Sequence, residues 1–344
     1  MPYRHSFTFP EYYTEFVCKC GHCRATCCHG WGIALSQDEY FRVTGTDCSP
    51  ELRRRLDVAF RPATNPAPTP ERYALISYNW LGQCPIQTED GLCLLHRECG
   101  EGAIPEICRR YPRCVRTAPV HECCTSTACE RTLELLWRDD FPLRFNVGEL
   151  EIFDEDFDIP AAASLTAEKY NSMRMMTFTV MSDRTKSVDE RLETVAEAFG
   201  AALPYYDMPT ECAAALYEKL CRTSESLNEL AEECEAYYKD GSMVSRFDLD
   251  MVDKMNIYLE KMMINHIFYK AFPRSFANST VTQEIAALVA VRGLHRYVSE
   301  AYLAVHGWSL DNFVDVTAKL FRMIEHSLFD EVASGFVLKL AAKE

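Results

Sequence analysis

The chain has 344 residues, a formal net charge of -15 and 17 cysteines. That length buries one or two ordinary cores, so the odd set of cysteines is not the disulfide framework that small secreted domains rely on. The acidity argues against a nucleic-acid partner, whose phosphates demand Lys and Arg, and no apolar run reaches the roughly 20 residues that cross a bilayer.

The start, MPYRHSFTFPEYY, lacks the basic n-region and apolar run of a signal peptide, which sets the expectation of a reducing cytoplasm and no membrane association. Charge is uneven: residues 1–150 hold 17 Lys+Arg against 19 Asp+Glu, and the remainder 19 against 32. An acidic second half fits a cationic protein partner, or simply a well-solvated surface.

The first element is a cysteine run, CKCGHCRATCC, with Cys18, Cys20, Cys23, Cys27 and Cys28. SPELRRRLDVAF then reads as a helix, because Ser49 offers an N-cap and Pro50 a pre-set first turn. RPATNPAPTPE, residues 61–71, reads as an exposed loop. YALISYNW and GLCLLH follow as short strands or turns near Cys84 and Cys93. FPLRFNVGELEIFDEDFDIP, residues 141–160, alternates around Gly148 as a small hairpin would. Beyond it, DERLETVAEAFGAAL, LDMVDKMNIYLEKMMINHIFYKAF, TQEIAALVAVRGLHRYVSEAYLAV and SLDNFVDVTAKLFRMIEHSLF repeat apolar residues at three- and four-residue spacing. The expected class is therefore mainly α: a cysteine-rich, loop-rich metal-binding region with short strands over 1–140, then a helical bundle or array over 141–344.

Fourteen cysteines precede residue 130, and thiolates two to four residues apart, joined by more distant ones, suit iron-sulfur or zinc. Cys212, Cys221 and Cys234 fall in helical patterns and read as small hydrophobes. Cys48 and Cys99 are isolated, and Cys114, Cys123 and Cys124 fit either role. His22, His29 and His96 could replace a thiolate, although no helix-spaced histidine pair accompanies them. Cys20, Cys23 and Cys27 are separated by two and then three residues, the reverse of the spacing usual in radical enzymes that cleave S-adenosylmethionine. Neither a glycine-rich Rossmann turn nor a phosphate loop is present.

On these residues the chain resembles the flagellin lysine-N-methylase family. Cys18, Cys23, Cys27, Cys28, Gly30 and Trp31 stand in the register of that family's opening, and Cys84-Pro85, Gly91-Leu92-Cys93, Cys108 and Tyr111-Pro112-Arg113 continue it to Cys129. In the helical half the matching residues are Arg174, Arg184 with the following ERL, NHIFYKAFP and FRMIEHS, so the resemblance runs along nearly the whole chain. Ser172-Met173, Asp183 and Glu130-Arg131 depart from the pattern, and Cys20, Cys48, Cys99, Cys114, Cys123 and Cys124 are extra.

The resemblance implies an S-adenosylmethionine-dependent protein-lysine N-methyltransferase acting on flagellin or a similar filament protein, with a 4Fe-4S cluster, or zinc, held among Cys18, Cys23, Cys27, Cys28, Cys84, Cys93, Cys108 and Cys129. Arg113, Arg174 and Arg184 become candidates for the donor's carboxylate, with internal ion pairs as the other option. Tyr111, Glu325 and His326 become candidates for handling the lysine amine and its proton. A noncatalytic iron- or zinc-binding interaction or carrier protein is the competing reading.

Overall fold

The computed structural model describes residues 2–30, 32–153, 165–221, 225–240, 249–273 and 278–340. Among them the chain is mainly α-helical. It divides into two units, one formed by Val17–Tyr111 and one by Met1–Phe16 with Pro112–Glu344. This division differs from a break near residue 140, because the first strand and the segment after Tyr111 build one sheet.

That strand, β1 (Pro2–Pro10), belongs to the larger unit. The chain then enters the smaller unit, where β2 (Ala34–Leu35), α1 (Gln37–Thr44), α2 (Pro50–Ala59), β3 (Phe60–Pro62), β4 (Ala74–Ile76), α3 (Leu94–Cys99) and α4 (Glu106–Arg110) follow one another. Ser36 and Glu39 form a reciprocal capping box at α1, and the Ser49 hydroxyl accepts from the Leu52 N–H at α2, with Pro50 in its first turn as the sequence predicts. The three strands order as β2-β4-β3, antiparallel throughout. Leu35, Val43, Leu52, Leu56, Ile76, Ile86, Leu94 and Leu95 form the core beneath them.

So little regular structure leaves many carbonyls without ladder partners, and arginines take them. Arg42 donates to the Gly102 and Ile104 carbonyls at 2.7 and 3.1 Å, and Arg55 to those of Pro85 and Gln87 at 3.0 Å each. The residues from Thr64 to Glu71 are exposed, as expected for the proline-rich loop.

In the larger unit β5 (Arg113–Arg116), β6 (Glu122–Thr125) and β7 (Phe145–Phe153) join β1 in the order β5-β6-β1-β7. β7 pairs with β1 from Pro2↔Phe153 to Pro10↔Phe145 without a break. The expected hairpin over 141–160 is thus replaced by one continuous strand as far as Phe153; residues 154–164 lie outside the described set. Alternation reports a half-buried strand but not its partner, and here the partner is at the other end of the sequence.

The remaining helices are α5 (Glu130–Leu136), α6 (Ala167–Met181), α7 (Val188–Ala198), α8 (Thr210–Cys221), α9 (Glu225–Asp240), α10 (Leu249–Tyr269), α11 (Val281–His306), α12 (Leu310–Glu325) and α13 (Phe329–Leu340). Helix α11 is buried along most of its length and is packed by α7, α8, α9, α12 and α13. Apolar residues cover most of its circumference, as a core helix requires, and the charged stripe that interrupts them is paired, Arg292 with Asp189 and Arg296 with Asp207. Its Gly293 admits Met208: a Cβ there would lie 2.6 Å from the Met208 Cβ.

Candidate functional site

Seven of the eight candidate metal cysteines lie in the smaller unit, and Cys129, the N-cap residue of α5, lies in the larger one. All the described cysteines are free thiols. Several sense one another. Burial pushes the Cys108 thiol up, and the nearby Cys84, Cys28 and Cys93 push it further. Burial likewise raises Cys84 to about 12, with Cys28 and Cys93 adding to it. Cys27 is raised first by its hydrogen bond with Cys28, then by burial and by Cys28, Cys108 and Cys18.

Neutral thiols gathered in this way are what a soft cation would deprotonate, and in donor chemistry the set fits zinc or an iron-sulfur cluster. Among the described residues, however, no three Cys, His, Asp or Glu side chains are disposed to hold a metal ion. Trp31 lies outside the described residues.

Beside these thiols, within the same unit, is a cleft of about 590 Å³. Its lining includes Cys23, Cys84, Arg24, His29, Glu89 and Asn79. The floor depends on two glycines. Gly91 has φ +78°, and a Cβ on it would lie 2.8 Å from the Gly21 Cα, so the two backbones meet where side chains would separate them. Gln87 shapes the wall: its Oε1 is 3.2 Å from His29 Nε2, and its amide donates to the Gly91 carbonyl at 3.1 Å.

A second cluster occupies the larger unit, where the turn after β6 meets α10 and the end of α12. The Glu325 carboxylate accepts from the Ser126 hydroxyl at 2.6 Å and the Thr127 N–H at 2.9 Å, and lies 2.9 Å from His266 Nδ1. Ser126 has one hydroxyl proton, which it gives to Glu325, so its oxygen accepts from the Ala128 N–H at 3.1 Å and faces His326 Nε2 at 3.2 Å as an acceptor. That arrangement assigns the His326 proton to Nε2 and leaves Nδ1 as the ring's basic nitrogen. Next to it, Asn265 donates to the Thr125 carbonyl and to Thr127 Oγ1 at 3.1 Å each, while the Tyr12 hydroxyl donates to Asn265 Oδ1 at 2.5 Å.

Burial would raise the Glu325 carboxyl, but the hydrogen bond and charge of His266 outweigh it and hold the group below the usual carboxylate range. The surroundings of His326 act mainly by desolvation and lower its basicity. The residue nevertheless keeps an exposed outer face, so water limits that effect. A lowered pKa makes His326 a weaker base than free imidazole, better fitted to accept and orient than to store a proton.

Tyr111, the third candidate for the amine, is the last residue of the smaller unit and follows α4. Arg113 is exposed on β5 with its guanidinium 5.2 Å from the centre of the Phe16 ring. Arg174 is buried, donates to Glu122 at 3.0 Å and lies 4.3 Å from the centre of the Phe268 ring. Arg184 meets Glu260 through Nε and Nη2 at 2.9 Å each, and Arg191 reaches the same carboxylate at 3.0 Å. The three candidate arginines therefore occupy three separate settings.

Sequence reasoning missed Ser126, Thr127, Asn265 and His266, although the last two open the NHIFYKAFP segment that carries the resemblance. It also missed Asn79 and Gln87 of the cleft, for which no spacing rule provides a signal.

The arrangement defines a mainly α protein with a thiol-rich unit beside a polar cleft and a separate buried carboxylate–imidazole network. It is similar to the lysine-N-methylase of Salmonella choleraesuis (strain SC-B67), 27% identical over 121 residues, a stretch that is 32% of this chain and 27% of that protein. The lysine-N-methylase of Salmonella typhimurium is 26% identical over the same shares, and the flagellar biosynthetic protein FliU of Salmonella muenchen 26% identical over 63% of its length. The chain thus matches about a quarter of the length of the two methylases, and the resemblance measured this way spans a third of the chain rather than nearly all of it. No family model and no solved structure matches. No described helix is long and apolar enough to cross a membrane.

Proposed function

We propose that this chain is an S-adenosylmethionine-dependent protein-lysine N-methyltransferase that acts in the cytoplasm on flagellin or a similar lysine-bearing filament protein. The observation that carries the reading is its similarity to the two lysine-N-methylases.

The cleft of the smaller unit is the place for the donor. A volume near 590 Å³ falls in the range of roughly 300–1,000 Å³ usual for small-ligand sites. A donor with an amino-acid end needs a cation for its carboxylate and an anion for its ammonium and sulfonium charges, and Arg24 and Glu89 supply both signs. The ligands of a 4Fe-4S cluster or zinc would come from among Cys18, Cys23, Cys27, Cys28, Cys84, Cys93 and Cys108, with Cys129 the remaining candidate; eight thiolates exceed the four that one such centre takes. A bound metal would add order to a loop-rich unit and charge beside the cleft.

Transfer to an amine needs a neutral nitrogen aligned with the methyl group, whereas a lysine ammonium has a solution pKa of about 10.4. In this reading His326, held by Ser126, orients the amine and Glu325 fixes the network behind it; Tyr111, in the smaller unit, is the other candidate for that role. A noncatalytic iron- or zinc-binding interaction or carrier protein is the second reading, favoured by the separate hydrophobic core of the thiol-rich unit.

Calorimetry with S-adenosylmethionine on anaerobically purified protein, followed by mass spectrometry of flagellin incubated with both, separates the two. Donor binding with added methyl groups on lysine supports the methyltransferase. A metal-loaded protein that neither binds donor nor modifies flagellin overturns it.

A further inference from the structure

Two thiols outside the candidate metal set pack against the same core of the smaller unit, close enough for Cys48 to act on Cys99. Cys48 precedes α2 and Cys99 ends α3, and hydrogen bonds clasp the two segments on either side of the pair. On one side, Ser49 donates from its N–H and hydroxyl to Glu98 at 3.2 and 2.9 Å. On the other, the Cys99 thiol points at the Asp47 carbonyl at 3.8 Å.

Both cysteines are half-buried against the same core, open enough for a small reagent and held enough to remain neighbours. Arg53 adds chemistry: its Nη2 donates to Cys48 Sγ at 3.4 Å, while the same guanidinium holds the Thr44 and Thr46 carbonyls at 2.5 Å each. The guanidinium ties the Cys48 sulfur to the turn before α2, and it is as a thiolate that a cysteine attacks a disulfide. Cys48 in turn raises the Cys99 thiol, after burial the largest influence on it.

Cys114 and Cys124 are also paired, directly opposite on β5 and β6, but both are buried. Of these two pairs, a reagent reaches Cys48 and Cys99 first.

We propose that Cys48 and Cys99 form a thiol–disulfide exchange site whose co-reactant is a low-molecular-weight disulfide such as oxidised glutathione. The Cys48 thiolate attacks one sulfur of that disulfide, forming a mixed disulfide and releasing one thiolate. Cys99 then loses its proton to solvent and attacks the Cys48 sulfur, forming the Cys48–Cys99 bond and releasing the second thiolate. The protein loses two electrons and the small disulfide gains them. The bond ties the start of α2 to the end of α3, the helix whose N-cap is Cys93.

The test exposes the full-length protein to oxidised glutathione, blocks the remaining thiols in denaturant, and digests it with a protease that cleaves after glutamate, which separates Cys99 from Cys108 at Glu101 and Glu106. Mass spectrometry of wild type should show a Cys48–Cys99 linked peptide as the main product. In Cys99→Ser it should show a glutathione adduct retained on Cys48. Separate adducts on Cys48 and Cys99 in wild type, or links from either to other cysteines, would overturn the assignment.

Discussion

The Glu325 carboxylate lies 2.9 Å from His266 Nδ1, and both residues are buried, at 7% and 1% exposure. One side chain from the end of α12 thereby secures a histidine of α10 and, through Ser126 and Thr127, the turn after β6.

Glu325→Ala removes the acceptor of three donors at once. We expect a loss of about 3–5 kcal/mol, in keeping with three buried donors left without an acceptor at roughly 1–3 kcal/mol each. Denaturant unfolding monitored by circular dichroism measures it, and a loss under 1 kcal/mol would show that the network does not hold the turn.

The same carboxyl predicts a pH dependence. Its folded pKa is depressed, so its contribution is complete above its unfolded value of about 4.3 and is lost as pH falls through the lower folded value. Glu325→Gln should flatten the acid limb of the stability profile and leave the profile above pH 6 parallel to wild type. An unchanged acid limb would assign that limb to other carboxylates.

Glu122 accepts from Arg116 at 2.9 Å, Arg174 at 3.0 Å and the Tyr170 hydroxyl at 3.1 Å. Arg174→Lys loses the planar guanidinium that donates through Nη1 to Glu122 and lies over the Phe268 ring, and we expect stability to fall while S-adenosylmethionine affinity stays within twofold. Weaker donor binding at unchanged stability would instead assign Arg174 to the donor.

Gly293→Ala places a methyl group against Met208 inside the packed core around α11. Overpacking of this kind costs about 1–3 kcal/mol. Thermal unfolding should show a lowered midpoint, partly restored by Met208→Gly, which removes the Cβ in the way, and additivity of the two changes would disprove the contact.

Serine at Cys84, Cys93 or Cys108 should reduce bound metal, whereas serine at Cys212 or Cys234 should not. Because burial and neighbouring thiols raise Cys84, Cys93 and Cys108, a cation must displace their protons, and apparent metal affinity should climb with pH. Elemental analysis of each variant and a pH series of metal titrations would check both statements.

Local chemistry made much of this molecule legible from sequence. Ser49 and Pro50 start α2 where the capping rule puts them, apolar spacing predicts α10 through α12, and the proline-rich stretch after Ala63 is exposed, as its prolines and small polar residues favour. Cysteine spacing likewise drew attention to the region where Cys27, Cys28, Cys84, Cys93 and Cys108 influence one another. Tertiary structure decided the rest, since pairing between distant segments leaves no local periodicity. It made residues 145–153 the partner of β1 rather than half of a hairpin, and placed that strand with the helical unit. It joined Ser126 to Glu325 across the chain, and engaged Arg174 and Arg184 with Glu122 and Glu260, because a buried charge must find its partner wherever the fold supplies one.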